Sequence, residues 1–185
     1  MRPRRLEIAL IVAVGLLSAV TALGQSALDL NGVATSPFTP TGITVLIFVR
    51  TDCPISNRYA PEIQRLAREF QGSAKFWLVY PDQKETPAAI RKHLSDYRYT
   101  LSALRDTRHE LVREAQAQIT PEAAVFVGKV LRYVGRIDDR AVDFGTFRVT
   151  ATTHDLESAL GAVIERRPVE KASKQAVGCY ISDLE

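Results

Sequence analysis

Val45-Leu46-Ile47-Phe48-Val49-Arg50-Thr51-Asp52-Cys53-Pro54-Ile55-Ser56 carries the chain out of one kind of element and into another. Its first five residues form an unbroken apolar run of strand length and predict a strand buried on both faces. Pro54 has no amide proton, and its fixed φ suits the first position of a helix. Beyond it Tyr59, Ile63, Leu66 and Phe70 recur at helical spacing, which predicts a helix over Ser56–Phe70. Cys53 therefore stands at the helix N-cap or beside it. A sulfur there faces unpaired backbone N–H groups and the positive end of the helix dipole. Both favour the thiolate, which is the nucleophilic and metal-binding form. The neighbouring Asp52 carboxylate works against a second anion. The plainer reading is a small apolar thiol packed in the core.

Working outward, Lys75 to Tyr80 reads as the next strand. Thr86 caps a helix begun by Pro87 and running to about Tyr97. A shorter helix covers roughly His109 to Gln116. Ala123–Val127 and Val130–Val134 are separated by Gly128-Lys129, a hairpin signal. The last helix spans about His154 to Arg166, with Leu156, Leu160, Val163 and Ile164 on one stripe and Asp155 and Glu157 in its first turn. Residues 138–153 carry no clear pattern. Alternating strands and helices predict an α/β domain with a largely parallel central sheet.

The chain has 185 residues, 46% of them hydrophobic and 24% charged, enough to fill a core. Of the net charge of +3, Met1–Gly24 supplies +2 through Arg2, Arg4 and Arg5 against Glu7. The remaining +1, with no run of five like charges anywhere, argues against a nucleic-acid binder. Those arginines precede an apolar stretch from Ile8 to Val20, and small residues stand at Ala22 and Gly24. This is the pattern of a signal peptide over residues 1–24, with an uncleaved anchor as the alternative. The run is shorter than the roughly 20 residues a spanning helix needs, which favours the leader over the anchor, and no membrane partner is expected beyond such an anchor. Export to a periplasmic or other extracytoplasmic space would put the chain's two cysteines, Cys53 and Cys179, where disulfides persist.

The strand, the Cys53-Pro54-Ile55-Ser56 helix start, Pro61 further on and Thr120-Pro121 before a strand together resemble the thioredoxin-like superfamily. Within it, Thr51-Asp52-Cys53-Pro54-Ile55-Ser56-Asn57-Arg58-Tyr59-Ala60-Pro61-Glu62 is similar to exported redoxins of the alkyl hydroperoxide reductase/thiol-specific antioxidant type. So are Leu104-Arg105-Asp106, Gly135–Arg140 and Val177–Ile181. The resemblance implies a thioredoxin-like α/β fold, a central mixed sheet flanked by helices, over residues 25–167, with 168–185 as a tail. It makes Cys53 the nucleophile and Pro121 the cis-proline whose loop, with Thr120, holds a substrate chain beside the sulfur. Pro54 borders the same site. Ser56 replaces the second cysteine of a Cys-x-x-Cys motif, and its hydroxyl remains able to support the thiolate. Peroxiredoxins carry threonine three residues and proline seven residues before their reactive cysteine; Arg50 and Leu46 stand there instead. The implied activity is thiol–disulfide exchange with a thiol- or disulfide-bearing protein or small thiol, with peroxide reduction as the alternative. No phosphate-cradling glycine motif is present, and no cofactor is expected.

Cys179 is the internal candidate to resolve a mixed disulfide on Cys53, since a flexible tail of about 12 residues reaches on the order of 20 Å. A reversible Cys53–Cys179 disulfide is the leading expectation, beside a static staple or two unpaired thiols. Two other classes stay open. Copper-delivery proteins share this fold, and Cys53 and Cys179 with one of His93, His109 or His154 would make a soft site for Cu(I). Of these His93 reads as solvated, and His154 borders the unassigned connection. The Ala141–Phe147 stretch, with two aromatics, would instead suit a non-enzymatic docking module.

Overall fold

The computed structural model describes residues 27–169 and 175–182; the leader expected over residues 1–24 lies outside them. The apolar run forms β3 (Ile43–Phe48), fully buried from Val45 onward. It is the hub of the sheet. On one side it pairs in parallel with β4 (Ala74–Tyr80), Val45 opposite Phe76, and on the other antiparallel with β7 (Glu122–Val127), Val45 opposite Val125. Odd and even residues of β3 serve different layers, as strand alternation requires. Val45 and Ile47 pack with Ile63, Leu66, Leu156 and Leu160, whereas Leu46 and Phe48 pack with Leu111, Val112 and Ala115.

The seven-stranded sheet has the order β2-β1-β5-β4-β3-β7-β8. β1 (Ala27–Leu28), β2 (Ala34–Thr35) and β5 (Ser102–Arg105) complete one edge, and β8 (Val130–Gly135) the other. Only the β3–β4 and β4–β5 pairings are parallel, so the sheet is mixed rather than largely parallel. The two-residue turn at Gly128-Lys129 enforces the difference: it joins β7 to β8 antiparallel, and Gly128 takes φ +60° there. The helices α3 (Pro87–Asp96), α4 (Glu110–Ala115) and α5 (Asp155–Ile164) lie close to their predicted spans. No helix among the described residues is long and apolar enough to cross a membrane.

The helix expected over Ser56–Phe70 is two helices, α1 (Pro54–Arg58) and α2 (Ala60–Glu69). Pro61 is the cause, because it has no N–H to offer the carbonyl of Asn57 and its ring crowds that turn. Tyr59, at the junction, splits its N–H between the carbonyls of Ile55 (3.2 Å) and Ser56 (3.1 Å). Its hydroxyl donates to Asp138 Oδ1 at 2.6 Å and accepts the N–H of Ala141 at 3.2 Å, which ties the break to the 138–153 connection. That connection is ordered by a hairpin of β9 (Ala141–Asp143) and β10 (Thr146–Phe147) around Gly145, and by Asp139. The Asp139 carboxylate accepts the N–H groups of Thr152 and Thr153 and pairs with Arg148.

The end of the chain is no loose tail where it is described. β11 (Cys179–Tyr180) pairs antiparallel with β6 (Ile119–Thr120), the short strand just before β7. Ala176 and Ile181 are buried, and Ile181 joins the core layer of Leu46 and Leu111.

Candidate active site

β3 delivers the chain to the site, and a tight turn at residues 50–52 brings Cys53 to the N-cap of α1. Its φ and ψ of −84° and 109° let the Sγ atom turn back onto the helix, where it accepts the N–H of Ser56 at 3.5 Å. The thiol donates to the carbonyl of Thr120 at 3.1 Å, and the residue has no exposed surface. Ser56 is buried one turn on. Its hydroxyl is near enough to favour a thiolate on Cys53 but completes no hydrogen bond of its own. Pro54 is exposed at the rim. Asn57 braces the turn by donating to the Thr51 carbonyl at 3.1 Å.

The second wall is built by residues 118–122. The Thr120–Pro121 peptide bond is cis. Glu122, first residue of β7, folds its carboxylate back to accept the N–H groups of Gln118 (2.8 Å) and Ile119 (3.4 Å). β11 lies along this wall: Cys179 is the register partner of Thr120, Thr120 Oγ1 donates to the Cys179 carbonyl at 3.3 Å, and the Ile181 N–H reaches the Gln118 carbonyl at 2.9 Å. Gly178 rests flat on Thr120. A Cβ there would come within 2.7 Å of the Thr120 carbonyl carbon and 2.9 Å of Ile119 Cγ2. Both cysteines are free thiols, and Cys179 packs against the core cluster that contains Cys53.

The two sulfurs are electrostatically unlike. Burial opposes ionisation of Cys53. The nearby Cys179 thiol, the Ser56 hydroxyl and N–H, and the Cys179 backbone outweigh it and hold the Cys53 thiol below its ordinary value. Burial, donation to Cys53 and the charge on Cys53 push the Cys179 thiol up to about 12. The two shifts run in opposite directions, so Cys53 gives up its proton before Cys179 does. Arg50 bridges Asp52 and Asp82, each at 3.0 Å, and the charges of Arg50 and Asp52 act on Cys179 with opposite signs. Glu85, buried, accepts the Thr51 N–H at 2.6 Å, and burial raises its carboxyl above the usual range.

Cys53, Ser56, Thr120, Pro121 and Cys179 thus gather at one place, with Pro54 at its edge. The histidines are elsewhere. His93 is buried, not solvated, because it shares the inward face of α3 with Ile90 three residues earlier. Its ring bonds Tyr80 Oη at 2.9 Å and Asn57 Oδ1 at 2.7 Å. His109 bonds the Pro81 carbonyl at 2.9 Å, and His154 lies with Glu62 and Glu157. Among the described residues no trio of the two cysteines with a histidine has ligand atoms within 4.8 Å of one another, so the donor set for the soft copper site is not assembled. Sequence reasoning missed Glu85, Glu122 and Gly178. Only Gly178, directly before a cysteine, left a readable signal.

The AhpC/TSA family profile matches residues 22–144. Among solved structures, an uncharacterized conserved protein from Geobacillus kaustophilus is 22% identical at a TM-score of 0.67, covering 84% of this chain and 86% of that one. A hypothetical protein from Sinorhizobium meliloti is 20% identical at 0.69, covering 84% and 88%. A secreted Mycobacterium tuberculosis disulfide oxidoreductase, described as homologous to E. coli DsbE, is 16% identical at 0.54, covering 74% and 94%. A search of curated proteins finds no match. At these identities the solved structures establish the thioredoxin-like fold.

Proposed function

This chain belongs to the AhpC/TSA family, and from that premise we propose that it is an exported thiol–disulfide oxidoreductase with Cys53 as nucleophile and Cys179 as resolving thiol. The observation that carries the reading is that Cys179 is the register partner of Thr120, whose carbonyl takes the Cys53 thiol at 3.1 Å. The Cys53 thiolate attacks one sulfur of a substrate disulfide and forms a mixed disulfide, and the other substrate sulfur leaves as a thiolate. Cys53 then carries no charge, and one cause of the high Cys179 pKa is gone. Cys179 gives its proton to the departing thiolate and attacks the Cys53 sulfur, expelling the substrate's second thiolate. Two electrons pass from the protein dithiol to the substrate, and the sequence reversed would oxidise a substrate dithiol. Because Cys179 already abuts Cys53, resolution needs no long travel. The Ser56 hydroxyl supports the Cys53 thiolate, while Thr120, Pro121 and Pro54 border the substrate. Export rests on the arginine-flanked apolar leader of residues 1–24 and agrees with the secreted nature of the tuberculosis protein of like fold.

The test is to equilibrate the protein across a glutathione redox series, trap thiols by alkylation and count labels by mass. Cys53 and Cys179 are expected to lose their labels together, at one potential, and in Cys179→Ser the internal disulfide vanishes. Labels that never couple would defeat internal resolution.

A further inference from the structure

The turn that presents Cys53 is not held by its own backbone alone. Its closing bond, from the Cys53 N–H to the Arg50 carbonyl, is long at 3.4 Å. Thr51, at its centre, is gripped from outside: Glu85 takes its N–H, and Asn57 Nδ2 donates to its carbonyl. Asn57 is held in turn from another helix. His93 on α3 stands 36 positions away in sequence, and its Nε2 lies 2.7 Å from Asn57 Oδ1. The Thr51 carbonyl can only accept, so Asn57 turns Nδ2 toward it and Oδ1 toward the imidazole. Oδ1 also can only accept, which puts the ring proton on Nε2 and leaves Nδ1 to take the Tyr80 hydroxyl at 2.9 Å. Hydrogen bonds thus run in one direction, from Tyr80 to His93 to Asn57 to Thr51. Tyr80 and His93 are buried, and the Tyr97 and Tyr99 rings pack on the imidazole with centroids at 4.8 and 5.8 Å. That burial favours the neutral ring, with the nearby Asp96 carboxylate working the other way.

We propose that His93 is a positioning residue for Cys53: by fixing which way the Asn57 amide faces, it holds the Thr51–Asp52 peptide and so keeps the sulfur seated at the N-cap of α1. This role rests on the reading of Cys53 as nucleophile and adds a residue outside the thiol pair that serves it. Without a donor at position 93, Asn57 Oδ1 loses its partner and the amide is free to turn. Turning it would set one oxygen against another at the Thr51 carbonyl, so the brace is lost. The turn then relaxes, and the Cys53 sulfur moves off the Ser56 N–H that it accepts at 3.5 Å. His93 acts through Asn57 and not on the sulfur itself.

The test is the pH–rate profile of Cys53 alkylation by iodoacetamide in reduced full-length protein, read by mass at Cys53, with urea melts alongside. His93→Phe keeps a ring in the site and removes the donor, Asn57→Ala removes the brace, and His93→Gln keeps an amide donor for Asn57. His93→Phe and Asn57→Ala are each expected to raise the midpoint of the profile, so that alkylation below it slows by about threefold or more. The double variant should go no further than Asn57→Ala alone, and His93→Gln should stay near wild type. A merely structural role would move the urea melts and leave the midpoint in place; that result, or full additivity in the double variant, overturns the proposal. If His93→Phe does not fold, NMR of the imidazole nitrogens decides. An Nε2 proton whose exchange quickens in Asn57→Ala upholds the role, whereas a proton on Nδ1, or no change, overturns it. A wild-type midpoint at or above 9.0, with no mixed disulfide from dithiobis-nitrobenzoate, would defeat the nucleophile reading separately. Hydrogen exchange at the Cys53 N–H then judges the positioning: faster exchange in His93→Phe and Asn57→Ala upholds it, and unchanged exchange overturns it.

Discussion

Gly178→Ala should unseat β11 while leaving the central sheet standing. The added Cβ would sit 2.7 Å from the Thr120 carbonyl carbon and 2.9 Å from Ile119 Cγ2. Carbon atoms rest comfortably at about 3.5–4.0 Å, so the two strands must part by roughly 1 Å. The Ile181–Gln118 bond of 2.9 Å and the Thr120–Cys179 bond of 3.3 Å would then pass beyond hydrogen-bonding length. Overpacking of this kind costs about 1–3 kcal/mol. Here it falls on a strand held by two residue pairs, which can relieve it by lifting off. The population with Cys53 uncovered should rise by about ten- to hundredfold. The assay is the alkylation rate of Cys53 in reduced protein under native conditions, read by mass. Gly161→Ala in α5 is the control, because a Cβ there meets nothing within 4 Å. A Gly178→Ala rate equal to that of wild type and control would refute the reasoning, since the close approach would then not be what seats the strand.

Four further outcomes are expected. Cys179→Ala removes the hydrogen bond that does most to favour the Cys53 thiolate, so the Cys53 titration, followed by thiolate absorbance, should move up toward its ordinary value of 9.0; an unmoved titration would assign the effect to Ser56 instead. The pair also shapes alkaline stability. The Cys53 share grows as pH rises to 9.0 and is lost as pH falls through its lower folded value, whereas the Cys179 share is present below 9.0 and lost between there and about 12. Cys53→Ser and Cys179→Ser should flatten opposite limbs of a denaturant-stability curve against pH. Tyr59→Phe strands the Ala141 N–H and takes one donor from Asp138, which keeps Arg140, and should cost about 1–3 kcal/mol in urea melts, with a change below about 0.5 counting against the role given to that hydroxyl. His93 is held below its ordinary 6.5 by burial, so unfolded chains take up its proton first and stability falls as pH drops below 6.5; His93→Gln should flatten that acid limb.

The strand-to-helix passage around Cys53 was legible because everything that decides it is local: an apolar run, a proline at the first helical position and a repeating stripe. The β7–β8 hairpin was legible for the same reason, through Gly128-Lys129. What escaped depends on distant partners. β1, β2 and β5 are two to four residues long and exist because a neighbouring edge is available to them. Glu85 and Glu122 are charged side chains buried to satisfy backbone N–H groups at Thr51, Gln118 and Ile119, and no pattern around either residue announces that duty. The docking of Cys179 on Thr120 spans 59 positions, beyond the reach of any periodicity. His93 is different: read beside Lys92 it suggests solvent, but read with Ile90 it falls on the inward face, so the signal was present at helical rather than adjacent spacing.

The apposition of the two sulfurs also bears on chemical endurance. A cysteine oxidised by peroxide to a sulfenic acid becomes irreversibly damaged only if a second oxidant arrives before a thiol does. At Cys53 a second thiol is close and the solvent is not: the residue has no exposed surface, and β11 seats Cys179 opposite Thr120, whose carbonyl takes the Cys53 thiol. A sulfenic acid formed there would lose water to its neighbour and close as a disulfide, a state that a reducing partner can reverse. On the proposed function, the same placement of Cys179 would also act as a safeguard, keeping the Cys53 sulfur on the recoverable rungs of its oxidation ladder.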